Sequence, residues 1–324
     1  MQRLRYRAKT VPHRSALNRS SRAMKIVIGS RGSALAIWQA RWVQERLAAT
    51  GNEVEIRVIH TSGDRKSQVS LEDSGVKGLF IKEIEEAILD SSINLAVHSL
   101  KDLPTDLPGG LALAAVPTRE DARDVLVSRN DEAFAALPRG SRIGTSSVRR
   151  QAQLRSLRPD LNMVSMRGNV ETRLRKLERG DCDAVVLAAA GIIRLGLKSK
   201  ITAYFPVDEL CPAVGQGALA IETRAADAEI NAIVAALDDA DAHAAVRAER
   251  AVLRCLGGGC SLPIAAHATE SHGTLSLLGI VARPDGRRVI RASKSGQPCR
   301  PEELGLAAAE DLLRQGAREL LEAS

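Results

Sequence analysis

The sequence predicts an α/β protein of two lobes that enclose a cleft, followed by a smaller α+β unit at the carboxyl end. Three observations predict it. Strand-like and amphipathic-helix patterns alternate in two successive runs, a polar crossing separates those runs, and the pattern changes again near Ala240.

In the first run, residues 25–30 read as a buried strand. A helix from Ser33 to about Ala49 follows, with Leu35, Trp38, Trp42 and Leu47 on one face. Val54, Ile56 and Val58 alternate as a second strand, residues 80–89 form an amphipathic helix, and residues 95–97 a short strand. A mostly parallel sheet is expected from this order. The chain turns polar at Pro117-Thr118-Arg119-Glu120-Asp121, and a second run begins. Its strands fall near 125–128, 143, 163–166 and 184–187, with helices near 147–157, 170–178 and 190–194. Two such lobes joined by short crossings place a ligand cleft between them. Beyond Ala240 come a helix at 243–254, strands at 275–282 and 288–293 around the hairpin turn Pro284-Asp285-Gly286, and one closing helix from 302 to about 323.

The chain has 324 residues, 44% hydrophobic and 26% charged, ample for several packed cores and unlike a disordered polypeptide. Only 2% are aromatic, so the cores must be aliphatic and no stacking platform for single-stranded nucleic acid is expected. The net charge of +7 belongs to residues 1–23, which hold seven basic residues and no acid. Without them 39 Lys and Arg face 39 Asp and Glu, so the body offers no electrostatic case for nucleic acid or a membrane surface. That tail is read as a basic extension without stable structure, either an organellar transit peptide or the result of translation starting at Met24. No apolar run reaches the ~20 residues that span a bilayer. The cysteines Cys182, Cys211, Cys255, Cys260 and Cys299 are irregularly spaced, which fits reduced cytoplasmic thiols and neither a disulfide framework nor a metal site.

Three segments combine Gly, Ser or Thr with Arg where a strand meets a helix. They are Gly29-Ser30-Arg31-Gly32-Ser33, Gly144-Thr145-Ser146-Ser147-Val148-Arg149-Arg150 and Arg167-Gly168-Asn169-Val170-Glu171-Thr172-Arg173. Helix N-termini, hydroxyls and guanidinium forks together suit a ligand with many carboxylate or phosphate groups, although Ser and Thr also serve as ordinary caps. Asp102, in His98-Ser99-Leu100-Lys101-Asp102, follows a strand whose carboxyl end should face the cleft. It is either a partner or cap for its neighbours, or a carboxylate that stabilises a cationic reacting group. Lys77, between glycines, is a candidate for a substrate acid or a solvated loop residue. Gly257-Gly258-Gly259 leads into Cys260, and Leu262-Pro263 stiffens the exit. That thiol is either a small residue in a tight turn or one presented to a ligand, and the other four cysteines read as structural.

These stretches, together with residues 77–83, 188–196 and 212–222, closely resemble the porphobilinogen deaminase family from Met24 onward. The resemblance implies two lobes like those of periplasmic binding proteins plus a small α+β domain. Residues 24–117 with 218–236 would form the first lobe, 118–217 the second and 240–324 the third domain. It implies a cytoplasmic, monomeric enzyme that joins four porphobilinogen molecules into hydroxymethylbilane with loss of ammonia. It further implies a dipyrromethane cofactor tethered to Cys260 by a thioether. Asp102 matches the catalytic aspartate. Arg31, Ser33, Lys77, Lys101, Thr145, Ser146, Ser147, Arg149, Arg150, Arg167, Arg173 and Arg194 match positions that hold cofactor and substrate carboxylates. Leu71-Glu72-Asp73-Ser74 stands where some relatives carry another lysine, which removes one candidate anion contact.

Overall fold

The computed structural model describes residues 23–61, 81–258 and 262–322. The basic tail up to residue 22, Lys77, the 71–74 stretch and Cys260 lie outside the described residues.

The first sheet starts with β1 (Lys25–Ser30), whose apolar residues face α1 (Ala34–Ala48), and continues through β2 (Glu53–Val58). Helix α2 (Lys82–Leu89), β3 (Leu95–Ser99) and β4 (Leu111–Ala115) follow. The second sheet takes β5 (Asp124–Ser128), β6 (Arg142–Gly144), α3 (Val148–Leu157) and β7 (Asn162–Val164). It is completed by α4 (Val170–Glu178), β8 (Ala184–Ala188), α5 (Ala189–Arg194) and β9 (Ala203–Tyr204). The chain then returns as β10 (Leu219–Arg224) and α6 (Ala228–Val234). Last come α7 (Ala240–Cys255), the meander β11 (Ile264–Ser271), β12 (Thr274–Ala282) and β13 (Val289–Gly296), and helices α8 (Pro301–Arg314) and α9 (Ala317–Glu322).

The two large sheets share one plan. Their orders are β2-β1-β3-β10-β4 and β7-β6-β8-β5-β9. In each, three parallel strands are followed by an antiparallel strand that arrives straight from a crossing: β10 beside β3, and β5 beside β8. The sheets are mostly parallel, as expected, each interrupted by one reversed strand. The two-lobed architecture with a small third sheet agrees with the fold expected from the resemblance.

Aliphatic side chains fill all three cores. Ile26, Ile28, Val43, Leu47, Leu95 and Ile221 pack under α1, Val125, Val185, Leu187 and Ile192 within the second lobe, and Val252, Leu277, Val281 and Leu312 within the third unit. Two helix readings need correction. The buried face of α1 is Gln39, Ala40, Val43 and Leu47, with Trp38 and Trp42 half-buried at its flank. Gln39 can face the sheet because its Nε2 donates to Ser99 Oγ at 2.8 Å. The final helix breaks at Gly316, whose φ of +92° a continuous helix cannot accommodate. Strands β4, β9, β10 and β11 escaped the periodicity reading. Among the described residues no helix is long and apolar enough to cross a membrane.

One carboxylate fastens the crossings to the third unit. Glu249, fully buried on α7, accepts from Arg119 Nη1 at 2.6 Å, Gly215 N at 2.6 Å and Ala268 N at 2.8 Å. Arg119 lies on the first crossing, Gly215 on the second, and Ala268 on β11. The crossings also meet directly, Glu120 N donating to Gly217 O at 3.2 Å. Gly217 has φ +87°, and a Cβ there would stand 2.3 Å from Glu120 O, so this close approach needs glycine. Glu249→Gln removes the charge from a buried pair and leaves Arg119 uncompensated. It is expected to destabilise the protein by about 3–5 kcal/mol, read from the midpoint of urea unfolding.

Candidate functional site

Strands β1, β3, β6, β7 and β8 each lead into a helix or short turn, and those ends carry the predicted residues. Arg31 follows β1 and is half-buried, and Ser33 caps α1, its Oγ accepting from Ala36 N at 3.3 Å. Beyond β3 a single 3-10 turn, Leu100–Asp102, anchors on buried Leu100 and leaves Asp102 exposed. Lys101, beside it, keeps part of its surface open yet is closely ringed by protein. That desolvation pulls its pKa from 10.5 to about 8, with Asp102 and Asp124 opposing the shift and Arg150 and Arg149 adding to it.

In the second lobe the hydroxyls shape the loop after β6. Thr145 Oγ1 accepts from Ser147 N at 3.2 Å, Ser146 Oγ meets Ser165 Oγ at 3.0 Å and accepts from Met166 N at 2.9 Å, and Ser147 caps α3. Arg149 and Arg150, on the first turn of α3, are each 5% exposed. Both reach a carboxylate that the sequence reading passed over. Arg149 Nη1 donates to Asp124 Oδ2 at 2.8 Å, and Arg150 Nη2 to Asp124 Oδ1 at 2.7 Å. Arg149 Nη1 also donates to Cys211 O, and Arg150 Nη1 to Val186 O. Burial pulls Arg149 below its ordinary pKa although Asp124 opposes it.

Arg173, half-buried on α4, donates through Nε to Gly168 O at 2.8 Å. Burial lowers its pKa to about 10, Arg150 adds to the shift, and Asp102 of the other lobe counters it. Lys101 and Asp102 of one lobe thus share one electrostatic neighbourhood with Arg149, Arg150 and Arg173 of the other. Two predicted residues stand differently. Arg167 is exposed on the loop after β7. Arg194 sits at the crossings, its Nη2 donating to Gly217 O at 2.7 Å and its guanidinium carbon 5.8 Å from the Trp38 ring. Burial lowers its pKa to about 10, with Glu120 opposing.

The third unit reaches the same region. Arg250 of α7 donates to Pro104 O and Thr105 O, both at 2.6 Å, just past the Asp102 turn. The helix then ends in Gly257 at φ +64° and in Gly258, where a Cβ would lie 2.5 Å from Ile264 Cδ1. Glycine is therefore favoured at 257 by the turn and at 258 by packing. Burial pushes the Cys182 thiol up to about 11 and raises that of Cys211, as befits structural cysteines. Cys299 is exposed, so burial does not account for it. A recess of about 820 Å³ between Arg155, Pro159 and the 284–287 turn lies apart from this cleft.

Four cations, Lys101, Arg149, Arg150 and Arg173, against two carboxylates, Asp102 and Asp124, give this two-lobed α/β protein a surplus of positive charge where the lobes meet. Residues 26–232 match "Porphobilinogen deaminase, dipyromethane cofactor binding domain", and residues 243–314 match its C-terminal domain. A protein named porphobilinogen deaminase in Syntrophotalea carbinolica is 52% identical over 306 residues, covering 94% of this chain and 96% of that one. Proteins of the same name are 48% identical in Syntrophobacter fumaroxidans (92% of this chain, 97% of that one) and 50% identical in Geobacter sulfurreducens (92% and 94%). The chain belongs to the porphobilinogen deaminase family, and is an enzyme of tetrapyrrole biosynthesis with a dipyrromethane cofactor domain.

The surplus positive charge fits such a group, since pyrrole acetates and propionates are carboxylates. Lys101 carries its charge below about pH 8 and loses it above. Affinity for a carboxylate ligand is therefore expected to weaken as pH rises through about 8, and Lys101→Met to lack that inflection when KM is measured against pH.

Proposed function

We propose that this enzyme condenses four porphobilinogen molecules head to tail on a dipyrromethane primer, releasing one ammonia at each addition, and that water then cleaves the tetrapyrrole from the primer as hydroxymethylbilane. The observation that carries this reading is the convergence of Lys101, Asp102, Arg149, Arg150 and Arg173 on one cleft from both lobes. The primer, when bound, supplies a nucleophilic pyrrole carbon.

In this reading each residue works on charge. Arg149, Arg150 and Arg173 hold ring carboxylates, with Lys101 beside them and Arg31, Arg167, Arg194 and Lys77 as further anion contacts. Ser33, Thr145, Ser146 and Ser147 hold the helix starts from which backbone N–H groups donate. As the carbon–nitrogen bond of porphobilinogen breaks, ammonia departs and the remaining pyrrole methylene becomes cationic. Asp102, exposed at its turn, stabilises that cation at the pyrrole N–H. Carbon–carbon bond formation then discharges the cation, and the attacked ring recovers aromaticity by losing a proton. The Cys260 thiol is the tether, next in sequence to a run of three glycines. The units divide as 24–117 with 218–236, 118–217 and 240–324, and the enzyme is a cytoplasmic monomer.

Intact mass tests the tether. The purified protein should exceed its sequence mass by one dipyrromethane unit, and Cys260→Ser should lack that increment and nearly all turnover. An active, unmodified thiol would overturn the reading in favour of a binding or non-tethered mechanism. Asp102→Asn should keep the primer yet slow condensation by hundreds-fold, about 3–4 kcal/mol, in a steady-state assay of porphobilinogen consumption.

A further inference from the structure

Asp124 is the first residue of β5, immediately after the first crossing, and none of its surface is exposed. Its two oxygens collect four donors. Oδ2 accepts from Arg149 Nη1 at 2.8 Å. Oδ1 accepts from Arg150 Nε at 3.1 Å, Arg150 Nη2 at 2.7 Å and Gln216 Nε2 at 2.8 Å. Gln216 belongs to the second crossing and also donates to Ala122 O, while its own carbonyl accepts from Arg119 Nε. One carboxylate therefore joins the start of β5, the first turn of α3 and both crossings.

Two adjacent guanidinium groups repel each other, and neither would keep a defined direction in a desolvated site without a counter-charge. Burial alone would raise the pKa of Asp124, yet Arg149 and Arg150 outweigh it and hold the carboxyl well below the usual range. The carboxylate cancels one of the two positive charges. What remains is a pair of fixed forks with a surplus of one charge, pre-set for an incoming carboxylate.

We propose that Asp124 is a positioning residue for substrate and primer carboxylates: it holds Arg149 and Arg150 as one preformed unit and, through Gln216, ties that unit to the crossing between the lobes. This rests on the reading above, in which the two arginines grip ligand carboxylates. Asp124 does so without touching the ligand. Its removal should therefore loosen binding uniformly, raising KM while leaving the chemical step alone.

The test is porphobilinogen kinetics on full-length Asp124→Asn, with rates normalised to the primer-bearing fraction found by intact mass and unfolding temperature measured alongside. KM should rise about tenfold or more while kcat stays within about threefold. A KM within about twofold of the unaltered enzyme overturns the proposal, as does a fall in kcat that tracks lost stability with KM unchanged. If Asp124→Asn does not fold, Asp124→Glu decides. It keeps the charge but displaces both forks by one methylene, and should raise KM about threefold or more at retained kcat; an unchanged KM overturns the proposal. A failure of the underlying reading is seen separately, as an unaltered protein with no primer mass or no porphobilinogen turnover.

Discussion

The cleft depends on the pairing of one buried carboxylate with two guanidinium groups. Asp124, Arg149 and Arg150 are all nearly or fully withdrawn from solvent. Ionised groups pay a heavy desolvation cost there, and only close hydrogen bonding offsets it. The return is geometric: two cations are held side by side on one carboxylate, within electrostatic range of Lys101 on the opposite lobe. A surface cluster of the same residues would be screened and mobile, with little preference for one arrangement of carboxylates.

The same economy governs how the units are joined. Glu249 takes donors from both crossings and from β11, so one carboxylate fixes the third unit against the crossings. Arg250 and Arg254 of the same helix reach the loop just beyond Asp102. Helix α7 therefore touches both the crossings and the chain just past the Asp102 turn, and the glycine run before Cys260 follows it in sequence.

Local pattern made much of the architecture legible. The helices at 148–157 and 170–178 and the strands at 25–30 and 184–188 lie within a residue or two of where periodicity put them. Each buries a face whose spacing is visible in a short window. Residues 111–115 and 219–224 were missed because their pairing is not local. Ile221 lies opposite Val97 on one side and Ala115 on the other, partners more than a hundred residues away in the chain. The face of α1 was misread for a related reason: the large tryptophans outweigh Gln39 in any pattern, yet Ser99 makes Gln39 the residue that can be buried.

Chain chemistry by itself pointed to the kind of ligand. Hydroxyls, glycines and arginines at strand ends suit an anion through residue type alone, while the thiol behind three glycines stayed open between a tight turn and a presented group until the family resemblance implied a tether. Only the tertiary structure decided how those arginines are used. Arg149 and Arg150 look equally available in the sequence, but the crossing that brings Asp124 beneath them commits part of each fork to the protein, and Arg194 is drawn to the Gly217 carbonyl. The physical reason is that a charge's partner is set by distance in space, which folding creates between segments that sequence spacing keeps apart.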